Sequence, residues 1–244
     1  MTKKNTTKGT AVAVTHVLMV VDMSGSMFAL ANDVRGGLNG YIANLKNDGN
    51  YYRMTITLFD TEFIPLVVDA SLAEVPELTE TNYYPRGSTA LYDAIGHTLG
   101  GFQSKHGTLG KNERALVVIQ TDGLENSSRD FSKDQVRKLI EDREQTDRWG
   151  FMYMGAGPSA WAEADKIGLG KFSSSTRQDS GGTRALYRGM ASATRSYATG
   201  SSVGETVAVV TTTPGVVDQE ATAAGKADQY AGKHRDADEE EASS

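Results

Sequence analysis

The sequence predicts an α/β fold with a mostly parallel sheet, helices on both faces and one antiparallel edge strand. Apolar runs of strand length alternate with segments of helical periodicity, which is typical of parallel strands joined by helices. The one exception is a pair of strands joined by only Asp60-Thr61. So short a connection forces an antiparallel hairpin, because a parallel return needs about a dozen residues. Two of the buried strands end in aspartates, Asp22 and Asp122.

The first half of the chain contains a buried strand, a long helix, the hairpin and a second helix. The predicted strands are 16–21, 51–59 and 62–68, and the predicted helices are 26–45 and 89–103. Residues 17–21 are continuously apolar, as in a strand covered on both faces. In the first helix, apolar residues recur at helical spacing up to Leu45. Three glycines inside it, Gly36, Gly37 and Gly40, each cost about 1 kcal/mol relative to alanine and suggest close packing on the sheet.

In the second half of the chain, predicted strands and helices alternate again. The predicted strands are 115–120 and 149–154, with a last edge strand at 170–172, and the predicted helices follow residue 132 and cover 159–166 and 184–197. Ser132 and Gln135 have the spacing of a capping box, in which each side chain bonds the backbone N–H of the other residue. After residue 200 the helical and strand patterns fade, and we expect at most a strand at Val203–Val210. The predicted organisation is therefore a flexible start (1–13), one domain (14–200) and a largely disordered, acidic-ended tail (201–244).

Composition limits the classes of partner and location. The net charge of -6, without a basic stripe, argues against nucleic acid or an anionic membrane as the main partner. The chain has no cysteine, so it has neither disulfides nor thiolate metal sites. No apolar run reaches the roughly 18 residues of a membrane span. Thr15 and His16 interrupt the apolar run 11–21, which favours a core strand over a signal peptide. We expect a cytoplasmic protein, with the virion or the cell surface as open alternatives.

Oxygen-bearing side chains follow the first strand directly. Asp22, Ser24 and Ser26 alternate along the chain, so their side chains can point to one side, and Gly25 permits a tight turn. In an open α/β sheet, ligands bind beyond the carboxyl ends of the strands. Carboxylate and hydroxyl oxygens suit Mg²⁺, Mn²⁺ or Ca²⁺, whereas zinc and copper prefer nitrogen or sulfur.

Three segments together resemble a von Willebrand factor type A domain with a complete metal-ion-dependent adhesion site. They are Asp22-Met23-Ser24-Gly25-Ser26, the segment 87–94 (Gly-Ser-Thr-Ala-Leu-Tyr-Asp-Ala) and Thr121-Asp122-Gly123, in the order and spacing of that family. The resemblance covers about residues 14–200. The run Asp122-Gly123-Leu124-Glu125-Asn126 is similar to small intracellular bacterial or phage members.

The resemblance implies a fold, a metal site and a function. The fold would be a three-layer, Rossmann-like arrangement around a six-stranded sheet with five parallel strands. Ser24, Ser26 and Thr89 would bind Mg²⁺ (or Mn²⁺ or Ca²⁺) through their hydroxyls, and Asp22 and Asp122 mainly through water. The sixth position would be left for an acidic side chain of a partner protein. The chain would then be a non-enzymatic binding module, with an ATPase or an assembly complex as candidate partners.

The expected charge of the site supports capture of a further acid. Two carboxylates cancel the charge of Mg²⁺, and the hydroxyls add none, so the ion stays attractive to one more carboxylate. Glu125 and Asp60 are the acids that could fill that position instead. We expect both to lie outside the direct ligands of the ion.

Simpler or different interpretations exist for each motif. Ser24, Ser26 or Thr89 alone would usually cap a helix, and Asp122-Gly123 alone would be a turn. The alternative function is a metal-dependent phosphohydrolase of haloacid-dehalogenase-like type, but that chemistry needs a second aspartate where the chain has Ser24. A nucleotide-binding fold is disfavoured because the glycines at 155–157 match neither Rossmann nor P-loop spacing.

Aromatic and histidine side chains give weaker signals. His16, His97 and His106 lack partners at ligand spacing, so we expect them to be structural or solvated and not metal ligands. The loop 83–86 and the two tryptophans could contribute to a binding face, although core packing explains the tryptophans equally well.

Overall fold

The computed structural model describes residues 14–156, 158–170, 173–176, 180–214, 216 and 217. The strands are β1 (Val14–Asp22), β2 (Tyr52–Phe59), β3 (Phe63–Ser71), β4 (Glu113–Thr121), β5 (Trp149–Ala156), β6 (Ser173–Thr176) and β7 (Val216–Val217). The helices are α1 (Ala31–Lys46), α2 (Leu91–His106), α3 (Lys133–Glu144), α4 (Pro158–Lys166), α5 (Ser180–Ala198) and α6 (Val203–Thr211), and a 3₁₀ helix (Gly25–Leu30) precedes α1.

The strands form one sheet in the order β3-β2-β1-β4-β5-β6-β7. The five central strands, β2, β1, β4, β5 and β6, are parallel to one another. The edge strands β3 and β7 pair antiparallel with β2 and β6. The chain thus steps outward from β1 to β3 and then returns to the other side of β1. This places the ends of β1 and β4 side by side at the switch point of the sheet, where α/β folds bind ligands.

Helices cover both faces of the sheet, so the fold has three layers. Alternate residues of β1 point to opposite faces: Val17 and Met19 belong to one apolar core with α1, α5 and α6, and Leu18 and Val20 belong to the other with α2, α3 and α4. The alternation on a continuously apolar strand confirms that β1 is buried from both sides. The predicted capping box of Ser132 and Gln135 begins α3.

Three predictions about the end of the domain need correction. The sheet has seven strands and not six, because β7 adds a second antiparallel edge. The strand predicted at 170–172 lies at Ser173–Thr176, inside the edge formed by β7; residues 171 and 172 are outside the described residues. The strand considered at Val203–Val210 is the helix α6, where Ser202 and Glu205 form a second capping box.

The domain boundary at residue 200 stays a prediction, and described helix and strand follow it. Because α6 and β7 lie beyond residue 200, the α/β structure extends into the segment predicted as a tail. The predicted flexible start (1–13) and the remainder of the tail (218–244) lie outside the described residues. Among the described helices, none has the length and apolar character needed to span a membrane.

Candidate metal centre

Asp22 closes β1 and lies fully buried beside the end of β4. Its carboxylate accepts a hydrogen bond from the Ser24 backbone N–H (2.6 Å) and another from the Thr121 hydroxyl (2.5 Å). Burial raises the pKa of Asp22 to about 6, although the bonds from Thr121 and Ser24 oppose that rise; the nearby charge of Asp122 adds to it. The ionised form of Asp22 is therefore poorly stabilised by the protein alone.

A chain of short polar contacts joins the first loop to the third. The Ser24 and Ser26 hydroxyl oxygens are 3.1 Å apart, and the Ser26 hydroxyl donates to Asp122 Oδ1 at 2.6 Å. Asp122 is itself buried, and burial raises its pKa despite the bond from Ser26. Two serines of one loop are thus held against the acid that follows β4.

The Thr89 hydroxyl reaches the same point from the second loop. A Cβ atom built on Gly123 would lie 3.2 Å from Thr89 Oγ1, 3.7 Å from Ser26 Oγ and 3.8 Å from Asp22 Oδ2. Glycine at 123, on the third loop, therefore keeps space open beside three oxygen atoms from the first and second loops. With the contacts of Ser24 and Asp122 given above, all five predicted site residues lie in one cluster.

Backbone hydrogen bonds hold the three loops together. Gly25 N–H donates to the Gly87 carbonyl (3.2 Å), Arg86 N–H to the Met23 carbonyl (2.8 Å) and Asn126 N–H to the Thr89 carbonyl (3.1 Å). Below them, the buried Tyr83 hydroxyl donates to the backbone carbonyl of Asp22 at 2.8 Å. The oxygen cluster is consequently fixed by the fold and does not depend on mobile side chains alone.

The two acids that could have joined the cluster have other partners. Glu125 accepts hydrogen bonds from the backbone N–H groups of Ser127 (2.9 Å), Ser128 (2.7 Å) and Tyr92 (3.0 Å). Asp60 is bound by the Arg86 guanidinium at 2.7 Å. Both acids therefore organise the loops around the cluster, and Asp22 and Asp122 are the carboxylates that face it.

The charge of the cluster is unbalanced. Among the described residues, no lysine, arginine or histidine forms an ion pair with Asp22 or Asp122. An uncompensated buried carboxylate is costly, so such groups are normally paired with a cation or coordinate a metal. The donor set of two carboxylates and three hydroxyls fits a hard divalent cation.

The aromatic residues named from the sequence divide into core and surface. Tyr83 and Trp149 are buried and pack in the core. Tyr84 is 47% exposed, as is Leu124, and Phe28 is 77% exposed. One exposed apolar side chain thus lies on each of the three loops that carry the oxygen cluster. Sequence reasoning did not identify Phe28 or Leu124, because nothing in the apolar pattern distinguishes them from core residues.

Comparison with known proteins supports the fold. No protein-family model and no curated protein matches the chain. Proximal thread matrix protein 1 from the mussel byssus aligns at 12% identity over 73% of this chain, with a TM-score of 0.56. A second structure of that mussel protein, with 13% identity and a TM-score of 0.56, is described as having a zinc-occupied MIDAS (metal-ion-dependent adhesion site) motif. This chain spans about half of the mussel protein, 47% of its length.

A second solved structure covers both chains more evenly. Manganese-loaded TRAP protein of Plasmodium vivax aligns at 21% identity over 69% of this chain and 70% of its own, with a TM-score of 0.52. At such low identities, the mussel and Plasmodium alignments show a shared α/β fold and no more. Nothing in these comparisons supports the phosphohydrolase alternative.

Proposed function

We propose that this chain is a non-enzymatic protein-binding module of the von Willebrand factor A type. A divalent ion held by Asp22, Ser24, Ser26, Thr89 and Asp122 would capture an acidic side chain of a partner protein. The observation that carries the proposal is the pair of buried carboxylates that have no cationic partner among the described residues, set against three hydroxyl-bearing residues. Mg²⁺ is the ion we favour, with Mn²⁺ and Ca²⁺ as chemically similar substitutes.

The charge of the site favours an acidic ligand. A divalent ion brings two positive charges, which Asp22 and Asp122 cancel, and the hydroxyls contribute no charge. Glu125 and Asp60 are engaged elsewhere, so no third carboxylate from the described residues reduces the attraction of the ion for an outside acid. Opposite unit charges about 4 Å apart attract by about 4 kcal/mol at an effective dielectric constant of 20. An incoming carboxylate of a partner would therefore be attracted to the ion and could bind it directly.

The surrounding surface would select the partner. Phe28, Tyr84 and Leu124 are exposed on the three loops, and such apolar side chains commonly anchor protein interfaces. The favoured epitope is therefore an acidic residue flanked by apolar ones. The proposed domain begins near residue 14. We place the module in the cytoplasm, as a bacterial or phage type of protein. An ATPase or an assembly complex would be a suitable partner there.

Metal binding can be tested without knowing the partner. Titration with Mn²⁺, followed by electron paramagnetic resonance of the free ion, should show one bound ion that Mg²⁺ displaces. Asp22→Ala and the double change Ser24→Ala with Ser26→Ala should lose that binding. Asp130→Asn alters an exposed acid paired with His97 and is the matched control, which should bind as the unaltered protein does. Unchanged Mn²⁺ binding by Asp22→Ala would contradict the site.

Partner capture is a separate experiment. The full chain is immobilised and exposed to extract from its source cells in Mg²⁺ or in EDTA, and each retained protein is identified. We expect retention that needs Mg²⁺ and is lost when the critical acid of the partner is changed to the amide. Leu124→Ala should weaken capture while leaving the Mn²⁺ titration unchanged. Retention that persists in EDTA would contradict metal-dependent capture even where the metal site itself is established.

A further inference from the structure

A second cluster of possible metal ligands lies at the other end of β1. His16 is six residues before Asp22, about 20 Å away along an extended strand. Asp69, near the end of β3, and His106, the last residue of α2, approach His16 there. We expected these histidines not to be ligands because their spacing in sequence shows no motif. The fold nevertheless brings two of them to one carboxylate.

The distances suit ligands of a single ion. Asp69 Oδ1 lies 3.7 Å from His16 Nδ1 and 3.5 Å from His106 Nε2, and one donor atom from each residue lies within 4.8 Å of the others. These separations are too long for hydrogen bonds. Two ligands bonded tetrahedrally at about 2.0–2.1 Å are about 3.4 Å apart, so modest movement would place all three around one ion.

Unsatisfied nitrogen atoms are the independent observation. His16 is 4% exposed, and its Nε2 and the Nε2 of His106 are buried without hydrogen-bond partners among the described residues. A buried polar atom without a hydrogen bond carries a desolvation cost that nothing offsets. The Phe102 ring packs against both imidazoles, at centroid distances of 5.1 and 4.4 Å, so neither can turn freely toward solvent. A metal held beside Asp69 would use the lone pair of His106 Nε2, which the protein leaves unused, and would bind His16 through Nδ1, the ring nitrogen that faces Asp69.

Asp69 is held in an unusual backbone conformation. Its φ of 51° lies in the left-handed region, which residues other than glycine rarely adopt. Arg53 binds its carboxylate through two atoms at 3.0 Å, Lys105 approaches at 3.2 Å, and the Asp69 N–H donates to the Thr55 hydroxyl at 3.0 Å. A ligating carboxylate normally has outer hydrogen bonds of this kind, which fix its orientation.

We propose that His16, Asp69 and His106 form a second metal site, for a borderline transition-metal ion such as Zn²⁺, with solvent as the fourth ligand. Arg53 and Lys105 already neutralise Asp69, so charge attraction would contribute little to binding a metal ion. Binding would come mainly from the imidazole nitrogens, which are better ligands for Zn²⁺ than for Mg²⁺ or Ca²⁺. A cleft of about 180 Å³, lined in part by Phe63, Asp69, Lys105 and His106, gives the ion an entry path.

The pKa shifts of His16 and Asp69 favour the forms of these two residues that bind metals. Burial, and then the charge of His106, lower the pKa of His16, although Glu113 and Asp69 act in the opposite direction. Burial would raise the pKa of Asp69, but the bonds from Arg53 and Lys105 outweigh it and keep the pKa below its usual value. Neutral imidazole and ionised carboxylate are the forms that bind metals.

Cobalt spectroscopy of the full chain distinguishes this site from the oxygen cluster. Co²⁺ with four ligands including imidazole absorbs visible light strongly, whereas Co²⁺ in a six-coordinate oxygen site absorbs weakly. With excess Mg²⁺ present, titration with Co²⁺ should produce strong bands that saturate at one equivalent and that Zn²⁺ abolishes. Absence of strong bands in the unaltered protein would overturn the proposal.

Variants then identify the ligands. His106→Gln and Asp69→Asn should each lose the bands, and circular dichroism checks that each variant is folded. His97→Gln, which changes an exposed histidine paired with Asp130, and His234→Gln are the matched controls and should keep them. Lys105→Met retains every ligand and removes a competing cation, so it should tighten Co²⁺ binding. Strong bands that survive both His106→Gln and Asp69→Asn would overturn the assignment.

Discussion

Gly37→Ala should destabilise the protein although alanine is the better helix former. A Cβ atom at residue 37 would lie 2.9 Å from Tyr187 Cγ, 2.7 Å from Cε2 and closer still to Cδ2. Tyr187 is buried on α5, and its hydroxyl donates to Gln120 Oε1 at 2.8 Å, so the ring cannot move aside without breaking that bond. Glycine at 37 therefore permits the close approach of α1 and α5.

The expected magnitude follows from three opposing effects. Alanine gains about 1 kcal/mol in helix propensity, overpacking costs about 1–3 kcal/mol, and loss of the Tyr187 hydrogen bond costs about 0.5–1.5 kcal/mol. The net loss is about 1–3 kcal/mol in the free energy of unfolding. For a domain of this size, that corresponds to a fall in Tm of about 2–12 °C.

Two neighbouring glycines provide the control. A Cβ on Gly36 or Gly40 would meet nothing within 4 Å, so Gly36→Ala and Gly40→Ala should gain up to about 1 kcal/mol and raise Tm by about 2–4 °C. Urea unfolding and thermal melts of the three variants are compared under identical conditions. A Gly37→Ala protein as stable as Gly36→Ala would refute the packing argument.

The remaining predictions concern the candidate metal centre. Saturating Mg²⁺ at 100 times its Kd should stabilise the protein by about 2.7 kcal/mol in thermal melts, and Asp22→Ala should show no such gain. Gly123→Ala should weaken Mn²⁺ binding, because its Cβ would crowd Thr89 Oγ1 at 3.2 Å, and should leave the Tm in EDTA nearly unchanged. In EDTA, urea unfolding should show stability rising as the pH falls from 7 to 5, by about 1.3 kcal/mol. The reason is that the pKa of Asp22, about 6, exceeds the value of 3.8 for the unfolded chain, so the folded form binds the extra proton; an opposite slope, or one that Asp22→Asn leaves unchanged, would contradict this.

The parts of the fold that could be predicted are those set by local chemistry. Continuous apolar runs located β1 and β4, and the Ser132–Gln135 pair located the start of α3. The short β7 could not be predicted, because two valines carry no periodicity, and α6 was mistaken for a strand because its valines favour strands locally. The helix α6 begins with a capping box of Ser202 and Glu205, which favours a helix start.

The two clusters of possible metal ligands, at opposite ends of the sheet, differ in how far the sequence predicts them. Asp22, Ser24 and Ser26 are close in sequence, the end of β4 places Asp122 beside them, and the loop before α2 brings Thr89 to the same point. The cluster at the other end depends on contacts between residues that are 37 or more positions apart. It also depends on one left-handed residue in an edge strand with irregular register, which no pattern of apolar residues encodes.

The aspartates at the two ends show why residue type alone does not determine which ion a site prefers. Asp22 accepts hydrogen bonds from the Thr121 hydroxyl and the Ser24 N–H and has no cationic partner in the described part of the chain, so a hard divalent ion would bind mainly by neutralising its charge. Asp69 already binds Arg53 and Lys105, so an ion there gains little from the carboxylate and depends on imidazole nitrogen. The two sites should therefore have opposite selectivity. Excess Mg²⁺ should leave the strong Co²⁺ bands unchanged while it displaces Mn²⁺; bands that Mg²⁺ removes would place both ions in one site.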